Sequence, residues 1–147
     1  RWSFKTDLTL LPPLGILGRT VAGMIPHTPY DSAQAAQAGG DMAMDKIGSA
    51  DFQASVLDSG TPVLVDFSAT WCGPCRVLEP VLKDLANENE GTVKFVKIDI
   101  DESGDLAAKF SVTSVPTLVM FNGGEEKARK IGGAPKPVLA GWIRENS

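Results

Sequence analysis

The sequence predicts an α/β domain with a central mixed β-sheet flanked by helices on both faces, and three observations carry that expectation. The near-continuous apolar run Val63-Leu64-Val65-Asp66-Phe67 has the form of a strand covered on both sides. Val77, Leu78, Val81, Leu82 and Leu85 then recur at helical spacing, and Val93 to Asp99 returns to strand character, so strand, helix and strand follow one another as in a parallel crossover unit. Finally, Thr117 to Phe121, the turn Asn122-Gly123-Gly124 and Glu125 to Ile131 predict an antiparallel hairpin.

The chain of 147 residues, with 43% apolar and 22% charged side chains, has room for one ordinary domain with a single core. Its net charge of −4 gives no footing for nucleic-acid binding, which needs a clustered basic surface. Residues 1–41 stand apart. Pro12, Pro13, Pro26 and Pro29, with several glycines, break any long helix or strand, and the same breakers and Arg19 interrupt the apolar stretch from Leu8 to Ile25. Ala36-Gln37-Ala38 has the small-x-small form of a signal-peptidase site but lies well beyond the apolar residues. A disordered N-terminal extension over 1–41 is therefore expected, with a leader or a mis-set start as alternatives, and the folded domain is expected over 42–147.

Along that domain, a short edge strand is expected at Asp45 to Gly48, followed by Ser49 as N-cap of a helix through Phe52, Val56 and Leu57 that Gly60 and Pro62 end. Asp66 breaks the apolar run of the next strand. A carboxylate there is either exposed at an edge or buried at a cost that raises its pKa, and it is read as a functional acid, against a purely structural one satisfied by hydrogen bonds. The following helix opens at Cys72, ends between Asn87 and Gly91, and is kinked by Pro80. In the strand Val93 to Asp99, alternation puts Lys97 on the face of Val93 and Phe95, where its ammonium either reaches Asp66 and moderates its pKa or snorkels to solvent. A short helix from Asp105 to Phe110 precedes the hairpin. Pro135 or Pro137 then starts a last helix carrying Val138, Leu139, Trp142 and Ile143.

Both cysteines of the chain, Cys72 and Cys75, lie in Thr70-Trp71-Cys72-Gly73-Pro74-Cys75-Arg76, directly after the apolar strand. Two thiols at this spacing can close a small disulfide ring, which constrains so little chain that a purely stabilising role is poor value. A helix beginning at the first cysteine directs unpaired N–H groups at its sulfur and favours thiolate, so Cys72 is expected to be the exposed nucleophile and Cys75, one turn in, the sheltered resolving thiol. No metal site is expected: zinc wants four ligands, no third cysteine exists, and the one histidine, His27, is far upstream.

The run Val63-Leu64-Val65-Asp66-Phe67-Ser68-Ala69-Thr70 followed by Trp71-Cys72-Gly73-Pro74-Cys75 resembles the thioredoxin family. Ser114-Val115-Pro116-Thr117 and Ile131-Gly132-Gly133 fall where that family has its cis-proline and glycine loops, so the resemblance covers about residues 44–147. It implies the thioredoxin fold and a protein dithiol–disulfide oxidoreductase that reduces partner proteins, with Asp66 taking the proton of Cys75 and Lys97 tuning Asp66. It also implies a cis Val115–Pro116 bond, with the Val115 backbone facing the sulfurs to pair with a substrate strand. Trp71, Gly73, Pro74, Val115, Pro116, Gly132 and Gly133 are the expected substrate contacts, although Trp71 could instead pack on the core and the glycines could serve chain reversal alone. The sequence departs from the common pattern at Ser68, where tryptophan is frequent, and at Arg76, where lysine is usual; neither change removes a catalytic group.

By the same resemblance no cofactor is bound, and an NADPH-dependent thioredoxin reductase recharges the pair. The chain itself carries no nucleotide fingerprint. The expected protein is a cytoplasmic monomer without stable membrane association. Its alternatives are an exported or anchored oxidoreductase, if residues 1–41 are an address, and a non-catalytic interaction module using the same face. Deleting residues 1–41 is expected to leave thermal unfolding and disulfide reduction unchanged; a large loss of either would show a working element in that segment.

Overall fold

Residues 44–147 are described by a computed structural model; the expectations for residues 1–41, and for where the domain begins, lie outside the described residues. Five strands form one sheet: β1 (Asp45–Lys46), β2 (Val63–Ser68), β3 (Lys94–Asp99), β4 (Thr117–Asn122) and β5 (Glu125–Ile131). Their spatial order is β1-β3-β2-β4-β5. β2 takes the centre because its apolar run can be buried on both faces, and every one of its residues is buried. It runs parallel to β3, which runs parallel to β1, and antiparallel to β4, which turns back through Gly123-Gly124 into β5. The mixed sheet and the chain order of its elements are those expected.

Alternation along β2 sorts its side chains between two cores. Val63, Val65 and Phe67 face a cluster with Phe52, Val56, Val96, Ile98, Leu106, Val119 and Phe121, covered by α1 (Ser49–Phe52) and α3 (Gly104–Lys109). Leu64 faces the other cluster, with Phe95, Leu118 and Met120, under α2 (Gly73–Glu88) and α4 (Lys136–Asn146). Asp66 and Ser68 share the Leu64 face, so both lie beneath α2.

Four local expectations are corrected. Ser49 is the first helical residue rather than the N-cap, a place taken by Gly48, because its hydroxyl donates to Asp105 of α3 instead of to its own helix. The α-helix then ends at Phe52 and continues as a π-helical turn, Gln53–Leu57, which keeps Val56 buried. Val77 projects outward at 75% exposure, since the buried stripe of α2 is Leu78, Leu82 and Leu85, with Val81 partly buried at its margin. Val138 is likewise half exposed, whereas Leu139 and Ile143, four apart, are the buried residues of α4 and Trp142 packs partly buried against the same core. Pro80 lies inside α2 as read, and Pro135 caps α4 with Pro137 in its first turn.

The hairpin turn has positive φ at both central residues, 63° at Gly123 and 78° at Gly124, the conformation a two-residue loop needs to match strand twist. The two glycines are not equivalent. A Cβ at Gly124 would stand 3.0 Å from the Leu57 carbonyl oxygen, whereas one at Gly123 would meet nothing. Gly123→Ala is therefore expected to cost about 1–2 kcal/mol in backbone strain alone, and Gly124→Ala about 1–3 kcal/mol more from the clash. Urea unfolding of the two variants reads the difference, and equal destabilisation would contradict the packing of the turn on Leu57.

Candidate active site

β2 delivers the chain to the sulfurs and α2 starts on them. Cys72 is the N-cap of α2, Gly73 and Pro74 are its first two residues, and Cys75 follows in the same turn. Pro74 is tolerated there because the first N–H groups of a helix have no intrahelical partner. Cys72 and Cys75 are joined as a disulfide, with Cα atoms 5.3 Å apart. The backbone N–H of Cys75 donates to the Cys72 sulfur at 3.2 Å, so sulfur occupies the acceptor position that a serine or aspartate oxygen takes in an ordinary N-cap. The positive end of a sixteen-residue helix is thus aimed at this atom.

The expected contrast between an exposed Cys72 and a sheltered Cys75 does not hold in the bridged state. Both are 4% exposed, because the bridge packs with Ala69, Ile100 and Val115. What separates the two sulfurs is the directed N–H, not accessibility. The Arg76 guanidinium donates to the Thr70 carbonyl at 2.7 Å and fixes the segment entering the helix.

Asp66 is 2% exposed on the sheet face under α2, between Lys97 on β3 and Leu118 on β4. Burial pushes its carboxyl up to about 7, with the Lys97 charge pulling it down and the Glu79 charge adding to the rise. Neither Asp66 Oδ1 nor Ser68 Oγ has a hydrogen-bond partner among the described residues, so this is not an acid fully satisfied by hydrogen bonds. Ser68 ends β2 on the same face and is fully buried.

Lys97 lies on the strand face that alternation predicted and is in register with Asp66, but its ammonium does not bond the carboxyl. Glu79 of α2 takes it at 2.9 Å; this carboxylate is partly exposed, and its bonds to Lys97 and Lys83 outweigh the desolvation that dominates at Asp66. Sequence reasoning missed Glu79. Its spacing to Lys83 signals the pair within α2, 3.1 Å apart, whereas nothing local signals the long-range bond to Lys97.

The loops that border the sulfurs come from elsewhere in the chain. The Val115–Pro116 bond is cis, and Val115 packs on the bridge. Among the described residues neither the N–H nor the carbonyl of Val115 has a backbone hydrogen-bond partner. The Gly132 N–H donates to the Pro116 carbonyl at 2.8 Å, and Gly132 has a φ of 83°, which ties the glycine loop to the proline loop. Trp71 is 66% exposed rather than packed on the core, and its indole N–H is held by Asp101 at 2.9 Å. Ile131 is 65% exposed. A shallow groove of 480 Å³ lies along Pro74, Val77, Leu78, Gly133 and Pro135, so exposed apolar surface continues from α2 to the glycine loop. Among the described residues no three His, Cys, Asp or Glu side chains are gathered closely enough to hold a metal, and no helix is long and apolar enough to cross a membrane.

This arrangement can do one kind of chemistry well: two electrons and two protons moved between a dithiol and a disulfide, with an acid of near-neutral pKa beneath the helix that carries the thiols. Comparison with known proteins agrees. The family model Thioredoxin matches residues 43–145. Thioredoxin C-2 of Corynebacterium nephridii is 50% identical over 95 residues, covering 65% of this chain and 88% of its own length. The thioredoxin of Synechocystis sp. is 42% identical over 103 residues, 70% of this chain and 96% of its own, and that of Pyropia yezoensis 40% over 104 residues, 71% and 97%. These matches, together with the bridged pair, favour the catalytic reading over a non-catalytic interaction module. The matched span contains the sulfur pair, the acid beneath it and both neighbouring loops, and the chain accordingly belongs to the thioredoxin family, a thiol–disulfide oxidoreductase of the fold expected.

Proposed function

We propose that the chain works as a reductant of disulfides in partner proteins, with Cys72 attacking and Cys75 resolving. The observation that carries this order is the Cys75 N–H directed at the Cys72 sulfur, which favours negative charge there. In the reduced protein the Cys72 thiolate attacks one sulfur of the partner disulfide, forming a mixed disulfide and releasing the first partner thiolate, which takes a proton from solvent. Cys75 then gives its proton to the Asp66 carboxylate and attacks the Cys72 sulfur. The second partner thiolate leaves, and the Cys72–Cys75 bridge remains. Two electrons have passed to the partner, and the described bridged state is the product of that turnover.

Asp66 suits the resolving step because an acid titrating at about 7 exchanges protons readily near neutral pH. The substrate face combines exposed Trp71, Val77 and Ile131 with the loops of Val115-Pro116 and Gly132-Gly133. The Val115 backbone is free to pair with an extended segment of the partner, and the glycines let that segment approach. Bridged protein must be reduced again for further turnover. Its family implies an NADPH-dependent thioredoxin reductase for this and a reducing compartment such as the cytoplasm, with the chain acting as a monomer.

Replacing Cys75 with serine is expected to trap partners covalently on Cys72, visible as slower bands on a non-reducing gel; if complexes form only when Cys72 is the residue replaced, the order of attack is reversed. Asp66→Asn is expected to slow turnover near neutral pH and to remove its rise through pH 7. It also reports on stability. Because the folded pKa of about 7 lies above the ordinary 3.8, the folded wild type binds more protons, and its stability falls as pH rises through that interval. The advantage of the Asn variant in urea unfolding should therefore grow from pH 4 to pH 7, by on the order of 3–4 kcal/mol at most, and level off above. An advantage independent of pH, with turnover unchanged, would leave Asp66 outside the proton path.

A further inference from the structure

Asp66 has two charged neighbours, and they come from different elements. Lys97 stands beside it in register on β3, while Glu79 lies in the second turn of α2, over the same sheet face. β4 contributes only the apolar Leu118 at that register. The Lys97 ammonium could serve either carboxylate, yet it sits 2.9 Å from Glu79 Oε2 and makes no ion pair with Asp66 within 4.0 Å. The other Glu79 oxygen holds Lys83 at 3.1 Å. Thr70, Glu79, Lys83 and Lys97 line a cavity of 250 Å³ that also reaches Lys46 and Asp99, whose charges face each other at 3.8 Å. The Lys97 side chain therefore borders open space on its Glu79 side, while its register places it beside Asp66.

We propose that Glu79 is a positioning residue for the resolving step: by occupying the Lys97 ammonium it holds that cation off the Asp66 carboxyl, and so keeps the carboxyl a competent proton acceptor for Cys75. The proposal rests on the reading of Asp66 as the base of that step. Glu79 acts twice in the same direction. Its negative charge opposes ionisation of Asp66, and its grip on Lys97 restrains the attraction that favours ionisation. Without Glu79, Lys97 is left to bond the Asp66 oxygen that has no partner, and an ion-paired carboxylate is a poorer base. Glu79 and Lys97 are about one-third exposed, so solvent screens part of the effect and glutamine is tolerated at the position.

The test is the titration of the Asp66 carboxyl, followed by carbon NMR in the full-length bridged protein. In Glu79→Gln the inflection is expected to fall by about one pH unit, a tenfold change in proton affinity, and the pH profile of mixed-disulfide resolution to move with it. Lys97→Gln is expected to raise the inflection, and adding Glu79→Gln in that background should produce less than half of its effect beside Lys97. An inflection that stays put or rises in Glu79→Gln overturns the proposal, as does an equal effect with and without Lys97. The two readings fail separately. A wild-type turnover that is flat through the Asp66 titration defeats the assignment of the base, whereas a Glu79→Gln titration that coincides with wild type defeats the role of Glu79.

Discussion

One backbone N–H directed at one sulfur is the contact on which the proposed chemistry depends. The Cys75 amide reaches the Cys72 sulfur only because α2 begins at that residue, and α2 begins there because Gly73 and Pro74 fill its first positions without needing hydrogen-bond donors of their own. β2 must then end immediately before the motif, which it can do because it is the buried central strand of the sheet. Sheet topology, helix start and sulfur electrostatics form a single chain of cause.

The second constraint is the carboxylate that the same strand carries into the core. Leu64, Asp66 and Ser68 face α2 by the period of the strand, so the residue that is costly to bury is set on the side where the thiols are and not on the side of the phenylalanine cluster. In the proposed mechanism its cost is also the source of its use: desolvation moves the acid to about 7, and the charged groups around it adjust that value in opposite directions. The surface above follows a different logic. Trp71, Val77 and Ile131 remain in solvent although each is large and apolar, and a domain that leaves such residues near a reactive pair is suited to meeting the backbone and side chains of another protein.

Most of the fold was legible because it rests on periodicity. The apolar run of β2, the alternation of β3 and the Asn122-Gly123-Gly124 turn each determine their element locally, and the central sheet follows from their order. What escaped were effects decided by distant partners. Ser49 is a good cap residue whose hydroxyl is claimed by Asp105, and Lys97, placed on the correct face, turns to a glutamate on a helix it does not adjoin in sequence. Val77 fits a helical apolar series and yet lies outside the stripe that reaches the sheet. At the candidate site, the pairing of the two cysteines and the burial of Asp66 were legible from type and position. The equal burial of the two sulfurs was not, because Ala69, Ile100 and Val115 gather around them only in three dimensions.

The central claim is that the helix start makes Cys72 the ready nucleophile. Alkylation of the reduced protein with iodoacetamide across a range of pH, with the modified residue located by peptide mapping, tests it most directly. The account predicts that Cys72 reacts first and reaches half its maximal rate well below the ordinary thiol value of about 8.5, with Cys75 trailing. A Cys72 that titrates like a free thiol, or a Cys75 that is modified first, would contradict it.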